Sequence, residues 1–87
     1  MNAEHFQEFM NVWTKISKKH SKEMDIININ QLPIIINLVH EPLGCRKNPL
    51  NGAEMHRFIN CLELPGTSTG YVHIMDVGMA LTLKAYK

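Results

Sequence analysis

Twelve residues near the end of the chain have the spacing of a loop that wraps a calcium ion: Pro65-Gly66-Thr67-Ser68-Thr69-Gly70-Tyr71-Val72-His73-Ile74-Met75-Asp76. Gly70 is sixth, where such a loop turns sharply, and Val72 is eighth, the apolar slot. Calcium needs hard oxygens, and a working loop supplies several from its first, third and fifth side chains. Here those side chains are Pro65, Thr67 and Thr69, with no carboxylate among them. The twelfth residue of a working loop is a bidentate Glu; Asp76 is one methylene shorter. Its expected role is to cap or charge the start of the following helix. The spacing predicts a loop that keeps its backbone shape and binds no calcium.

An equivalent loop precedes it. With Ile27 as the eighth residue, the twelfth is Gln31, which cannot supply a bidentate carboxylate. The sixth position holds no glycine, and Lys18, Lys19 and Lys22 repel a cation nearby. This loop is also expected to be inert.

No other chemistry assembles from the sequence. His5, His20, His40, His56 and His73 form no two-ligand helical pair, and there is no CxxC. His40 with Cys45, and His56 with Cys61, stand five apart, which does not share a helical face. A nucleophilic Cys–His pair would also need an orienting group and an oxyanion site, and neither is signalled. Phosphate-binding, dinucleotide-binding and nucleophile-elbow motifs are missing. The chain is read as non-enzymatic, with no metal and no cofactor.

Eighty-seven residues, 45% hydrophobic, make one small globular domain. A net charge of +1 gives no reason to expect nucleic acid as a partner. Lys15, Lys18, Lys19 and Lys22 cluster locally, either as a solvated stretch or as a dock for an acidic partner or lipid surface. Cys45 and Cys61 make no disulfide framework and are read as reduced thiols in a cytosolic setting. The longest apolar run, Leu32 to Val39, is far short of a membrane span.

Periodicity supplies the elements that would position these loops. Phe6, Phe9, Met10, Trp13 and Ile16 share one helical face between about Ala3 and Lys18. Ile26 to Ile29 suits a short strand, and Asn30 suits an N-cap. A second helix, Gln31 to about His40, turns Leu32, Ile35, Ile36 and Val39 inward and ends at Pro42 and Gly44. After a turn-rich linker, a third helix runs from about Ala53 to Leu62, with Met55, Phe58, Ile59 and Leu62 apolar. Tyr71-Val72-His73 is a second strand, and a fourth helix runs from Ile74–Asp76 to the end. Val77, Ala80, Leu81 and Lys84 line one side of it, and Met79, Leu83 and Tyr86 another. The expected fold is all-α with a minimal two-stranded bridge. It comprises two EF-hand-like helix–loop–helix units with degenerate loops, at about 3–40 and 53–87, joined by a linker at 41–52. Ile27 and Val72 are expected to face each other across the bridge.

The same residues carry a resemblance. Phe6, Phe9, Val12 and Trp13 resemble the first helix of the EF-hand-like domain that follows the last transmembrane helix of voltage-gated calcium and sodium channels. Ile27, Leu32 to Val39, and Glu41-Pro42-Leu43-Gly44 match its degenerate loop, second helix and Pro-Leu-Gly turn. Phe58 to Pro65, Val72-His73, Val77, Ala80 and Leu81 match its second half. The Pro-Leu-Gly step leans toward the calcium-channel branch. The chain departs from the pattern in a longer first loop and a single proline in the Pro42 turn; the family's membrane helices and calmodulin-binding IQ helix are not in it. The resemblance implies a regulatory domain at the cytoplasmic face of a membrane, part of a voltage-gated channel. Its partners would be other channel segments and calmodulin.

The surfaces such a module would use are Lys15, Lys18, Lys19 and Lys22, the turn from Glu41 to Lys47, and Met79, Leu83 and Tyr86 on the fourth helix. Ordinary core packing competes as an explanation for those last three. The alternative function is a free-standing calmodulin-like adaptor that takes an amphipathic helix without calcium, using Met10, Met24, Met55, Met75 and Met79 as an adaptable groove. A calcium buffer or sensor would need working loops.

Overall fold

A computed structural model describes residues 3–20 and 25–85, without the side chains of residues 19 and 20. Helix α1, Ala3–His20, forms because its apolar residues recur at helical spacing. Phe9 and Trp13 are wholly buried and Phe6 and Ile16 partly so, whereas Met10 stays exposed. The buried stripe is thus narrower than periodicity predicts. Phe6, Phe9 and Trp13 stack along it with centroids 5.8 and 5.7 Å apart in edge-on and tilted pairs. Ser17, buried on the same side, donates its hydroxyl to the Thr14 carbonyl at 3.1 Å.

Strand β1, Ile26–Asn28, pairs antiparallel with β2, Tyr71–His73, and Ile27 lies opposite Val72. Both side chains are buried, so the register is set by the core as well as by the ladder. The pairing continues beyond the strands: Ile29 donates to the Gly70 carbonyl and Ile74 to the Asp25 carbonyl, each at 2.8 Å. Ile29 does not extend the strand. It opens a 3-10 turn, Ile29–Gln31, capped by Asn28, whose side chain accepts from the Asn30 N–H at 2.8 Å. Asn28 rather than Asn30 is the cap because the chain leaves the bridge through a tight turn first.

Helix α2, Leu32–Leu38, is shorter than expected because the chain turns extended at Val39. Leu32, Ile35, Ile36 and Val39 are all fully buried, as the pattern requires. Past α2 the backbone folds back onto the helix end. Cys45 donates to the Ile36 carbonyl at 2.8 Å and Arg46 to the Val39 carbonyl at 3.1 Å, satisfying carbonyls a helix end leaves open. Leu43 is driven into the core at this turn. Gly44 permits it: a Cβ there would sit 2.2 Å from the Val39 carbonyl oxygen and 2.7 Å from that of Ile36.

Helix α3, Gly52–Leu62, starts at a capping box in which Asn51 and Glu54 each accept from the other's backbone N–H, at 2.9 and 3.1 Å. Met55 and Leu62 are buried; Phe58 and Ile59 pack at the edge of the core. Helix α4, Ile74–Ala85, inserts Val77 and Leu81. Its Gly78 costs about 1 kcal/mol against Ala in a helix interior. The offset is close packing, since a Cβ there would meet the Phe9 and Phe6 rings at 3.1 and 3.3 Å. Helix α1 packs against α2, α4 and β1, and α3 packs against α4.

A polar tie joins α1 to the end of α2. Glu8 accepts from the His40 backbone N–H at 2.7 Å and pairs with His40 Nδ1. Burial pushes the Glu8 carboxyl up, but the His40 hydrogen bonds and the charges of His40 and Arg46 outweigh it and hold it below its ordinary value. A carboxyl lowered on folding stabilises above its unfolded value and loses that contribution as pH falls through its folded one.

Two measurements follow from these contacts. Gly44→Ala should destabilise by more than about 2 kcal/mol, because backbone rather than a flexible side chain blocks the methyl. Gly52→Ala, with no atom within 4 Å of its Cβ, should stay near neutral in the same urea titration. Glu8→Gln should cost about 1 kcal/mol at neutral pH. It should also flatten the loss of stability below about pH 4.5 in denaturation curves taken across a pH series.

Candidate functional site

The second loop closes on its own oxygens. Gly66 and Gly70 both adopt positive φ, 81° and 84°, and bracket a 3-10 turn at Thr67–Thr69. The Gly66 carbonyl accepts from the Thr69 N–H at 3.0 Å and from its hydroxyl at 2.7 Å. The same hydroxyl accepts from the Tyr71 N–H at 3.3 Å, and the Thr67 carbonyl accepts from Gly70 N–H at 3.0 Å. A Cβ at Gly66 would lie 3.3 Å from the Tyr71 carbonyl oxygen, so the two sides of the loop approach closely. Of the side chains at the first, third and fifth positions, Thr69 has its hydroxyl engaged within the loop.

Asp76 lies exposed in the first turn of α4. The acceptor observed at that helix start is His73, whose Nδ1 receives the Met75 N–H at 3.1 Å. Asp76 therefore contributes charge to the helix start. Gln31, the twelfth residue of the first loop, buries its Oε1 without a hydrogen-bond partner among the described residues. Pro65 and Thr67 are exposed. Among the described residues no three His, Cys, Asp or Glu side chains come together to share a metal ion. Cys45 and Cys61 are free; burial and the Glu41 carboxylate push the Cys45 thiol up against the opposing pull of Lys84.

The fourth helix carries the most continuous apolar surface. Met75, Met79 and Leu83 are 57, 62 and 65% exposed, which places them on the outer face and not in the core. Leu83 borders a groove of ≈ 660 Å³ that runs between the ends of α3 and α4 over Leu62 and Ala80, with Glu63 and Lys84 at its rim. Lys84 Nζ sits 5.0 Å from the Phe58 ring centroid. A second groove, ≈ 500 Å³, lies between α2 and α3 beside Pro33, Leu50, His56 and Ile59. Its wall is held by Asn37, whose amide donates to the Leu50 carbonyl at 3.2 Å and accepts from the Leu50 N–H at 3.0 Å.

The sequence-predicted surface residues do not form one patch. Lys15 and Lys18 are exposed near the C-terminal end of α1, where positive charge suits the helix dipole. Lys22, Tyr86 and the side chain of Lys19 lie outside the described residues, as does Met24. The methionines also separate: Met55 is buried in the core, while Met10, Met75 and Met79 are exposed on two different helices. Four positioning residues, Asn51, Glu54, His73 and Asn37, do not figure in the sequence analysis. The Asn51–Glu54 box was legible as an N-x-x-E pattern before an apolar run. Asn37 as a clip had no local signal, because its partner lies 13 residues on; His73 caps a helix only two residues away, but His is not among the residue types that signal an N-cap.

No protein-family model matches the chain, and no curated protein or solved structure matches it either.

Thr69→Val keeps the side-chain shape and removes the hydroxyl that closes the second loop. It should lower stability by about 1 kcal/mol and speed amide exchange at Tyr71. An unchanged midpoint and unchanged exchange would show that the hydroxyl does not hold the loop.

Proposed function

We propose that the chain is a pair of EF-hand-like units whose loops have lost calcium binding, and that it works as a non-catalytic interaction module. The observation that carries this reading is the Ile27–Val72 pairing. In paired EF-hands the eighth residues of the two loops face each other across a short antiparallel bridge, and here the eighth residues by spacing are these two. The helix–strand–helix order on each side of the bridge supports the same reading.

The loops support its calcium independence. In the second, the Thr69 hydroxyl and the Gly66 and Thr67 carbonyls bond within the loop, and the twelfth positions are Gln31 and an exposed Asp76. A domain that keeps the architecture without the ion is suited to constant association with a partner. The resemblance in the first helix and the Pro42-Leu43-Gly44 turn makes that partner the rest of a voltage-gated cation channel, of the calcium-channel type, together with calmodulin on its tail. The module would then act at the cytoplasmic face of a membrane. Met75, Met79 and Leu83 are the surface on which a channel helix would rest. The adaptor alternative draws less support, because Met55 is buried and the methionines do not gather in one groove.

A calcium titration followed by calorimetry and heteronuclear NMR, with magnesium as control, tests the reading. No shift is expected at millimolar calcium; saturable shifts from Thr67 to Asp76 would make the second loop a sensor and sink the proposal. Restoring ligands with Pro65→Asp, Thr67→Asp, Thr69→Asp and Asp76→Glu together should create calcium binding, since the scaffold already has the right spacing. Failure of that variant, while folded, would count against the EF-hand-like reading. Amphipathic peptides from channel tails should bind better than unrelated amphipathic helices; equal binding would favour the adaptor.

A further inference from the structure

Met75, Met79 and Leu83 recur at i, i+4 and i+8 along α4 and form a straight ridge about 12 Å long. Rows of this spacing pack into the grooves of an identical row on another helix. Charge flanks the ridge unequally. Asp76 follows Met75 and Lys84 follows Leu83, so the two stand at opposite ends of one flank, with Ala80 between them. Asp76 is exposed and has no hydrogen-bond or ion-pair partner among the described residues. The Phe58 ring holds the Lys84 ammonium on that same flank, 5.0 Å from its centroid.

We propose that this ridge pairs with the α4 ridge of a second copy of the chain, antiparallel, about a two-fold axis beside Met79 and Ala80. An axis perpendicular to the helix reverses the second copy and turns each flank onto its own image, as an isologous contact requires. Met79 then meets Met79, and Met75 meets Leu83. On the charged flank Asp76 of each copy faces Lys84 of the other, twice over. A parallel two-fold pair would instead carry the charged flank of each copy to the opposite side of the contact, against Ile74, Gly78 and Thr82, and leave Asp76 and Lys84 without complements. The sequence of this one helix is therefore complementary to its own reverse, and this selects a second copy as the occupant.

The three exposed side chains offer on the order of 300 Å² per copy, under half of the ~800 Å² a standard interface buries on each partner. The association is accordingly weak, with a dissociation constant on the order of 100 μM. It is the kind of contact that dominates only where copies are held close together. A second copy and a channel helix cannot occupy this ridge at once, so the pairing belongs to chains whose ridge no channel helix covers; the calcium experiments test the loops, and they and this proposal fail independently.

Sedimentation equilibrium from about 20 μM to about 1 mM should show a monomer–dimer equilibrium. Met79→Glu, exposed and outside the core, should weaken it at least about tenfold. Asp76→Lys and Lys84→Asp should each weaken it about fivefold, and the double exchange should restore it to within about twofold, with the fold checked by circular dichroism. Ile34→Glu, exposed on α2, should leave the equilibrium unchanged. A monomer throughout the range, a dimer indifferent to Met79→Glu, a double exchange no better than either single change, or a dimer broken by Ile34→Glu would each overturn the proposal. Should a charge variant fail to fold, Met79→Glu and Ile34→Glu still decide it.

Discussion

The short antiparallel pairing between Ile26–Asn28 and Tyr71–His73 is the constraint around which the rest is arranged. A two-stranded ribbon of this length has little stability of its own. It persists because Ile27 and Val72 project from it into a core built by all four helices. The dependence is mutual. The bridge sets where β1 delivers the chain to α2 and where β2 delivers it to α4, and those helices bury the residues that hold the bridge. Hydrogen bonds from Ile29 and Ile74 extend the pairing past both ends, so the two loops are tied at their closing positions.

Two glycines show how the helices reach that core. Gly78 lets the Phe6 and Phe9 rings lie against the α4 backbone, and the helix propensity lost there is offset by the contact. Gly44 lets the chain double back on the end of α2, which satisfies free carbonyls and inserts Leu43. Both glycines serve close approach rather than a left-handed conformation. Among the described glycines, Gly66 and Gly70 in the second loop use positive φ, as Glu63 does at the end of α3. The loop thus turns at two left-handed glycines, and the Thr69 hydroxyl helps hold the turn between them. The same turn delivers β2 to the bridge.

The outer surface divides along the same lines. The face of α4 toward α1 is committed to the core through Val77, Gly78 and Leu81. The opposite face is left with Met75, Met79 and Leu83, more apolar than a solvated helix face requires. Charge at Asp76 and Lys84 brackets that ridge and gives it a direction. The basic residues Lys15 and Lys18 sit apart from it near the end of α1, so the two surfaces are separate features.

Much of the fold was legible in the sequence, because periodicity reports which side of an element must leave water. The inward sets of α2 and the anchors Phe9 and Trp13 follow from spacing alone, as do the two strands and the opposition of Ile27 and Val72. That Pro65, Thr67, Thr69 and Gln31 carry no carboxylate is likewise a matter of residue type. Tertiary structure decided what depends on neighbours distant in sequence. Met10 falls with Phe6 and Trp13 by helical spacing, yet it stays exposed while Trp13 is buried. Met79 and Leu83 are as apolar as any core residue, and only the orientation of α4 against Phe6 and Phe9 turned them outward. The pairing of Glu8 with His40 and the clip of Asn37 on Leu50 span 32 and 13 residues, separations at which no local pattern survives. Periodicity assigns a face to an element; only packing assigns that face a neighbour.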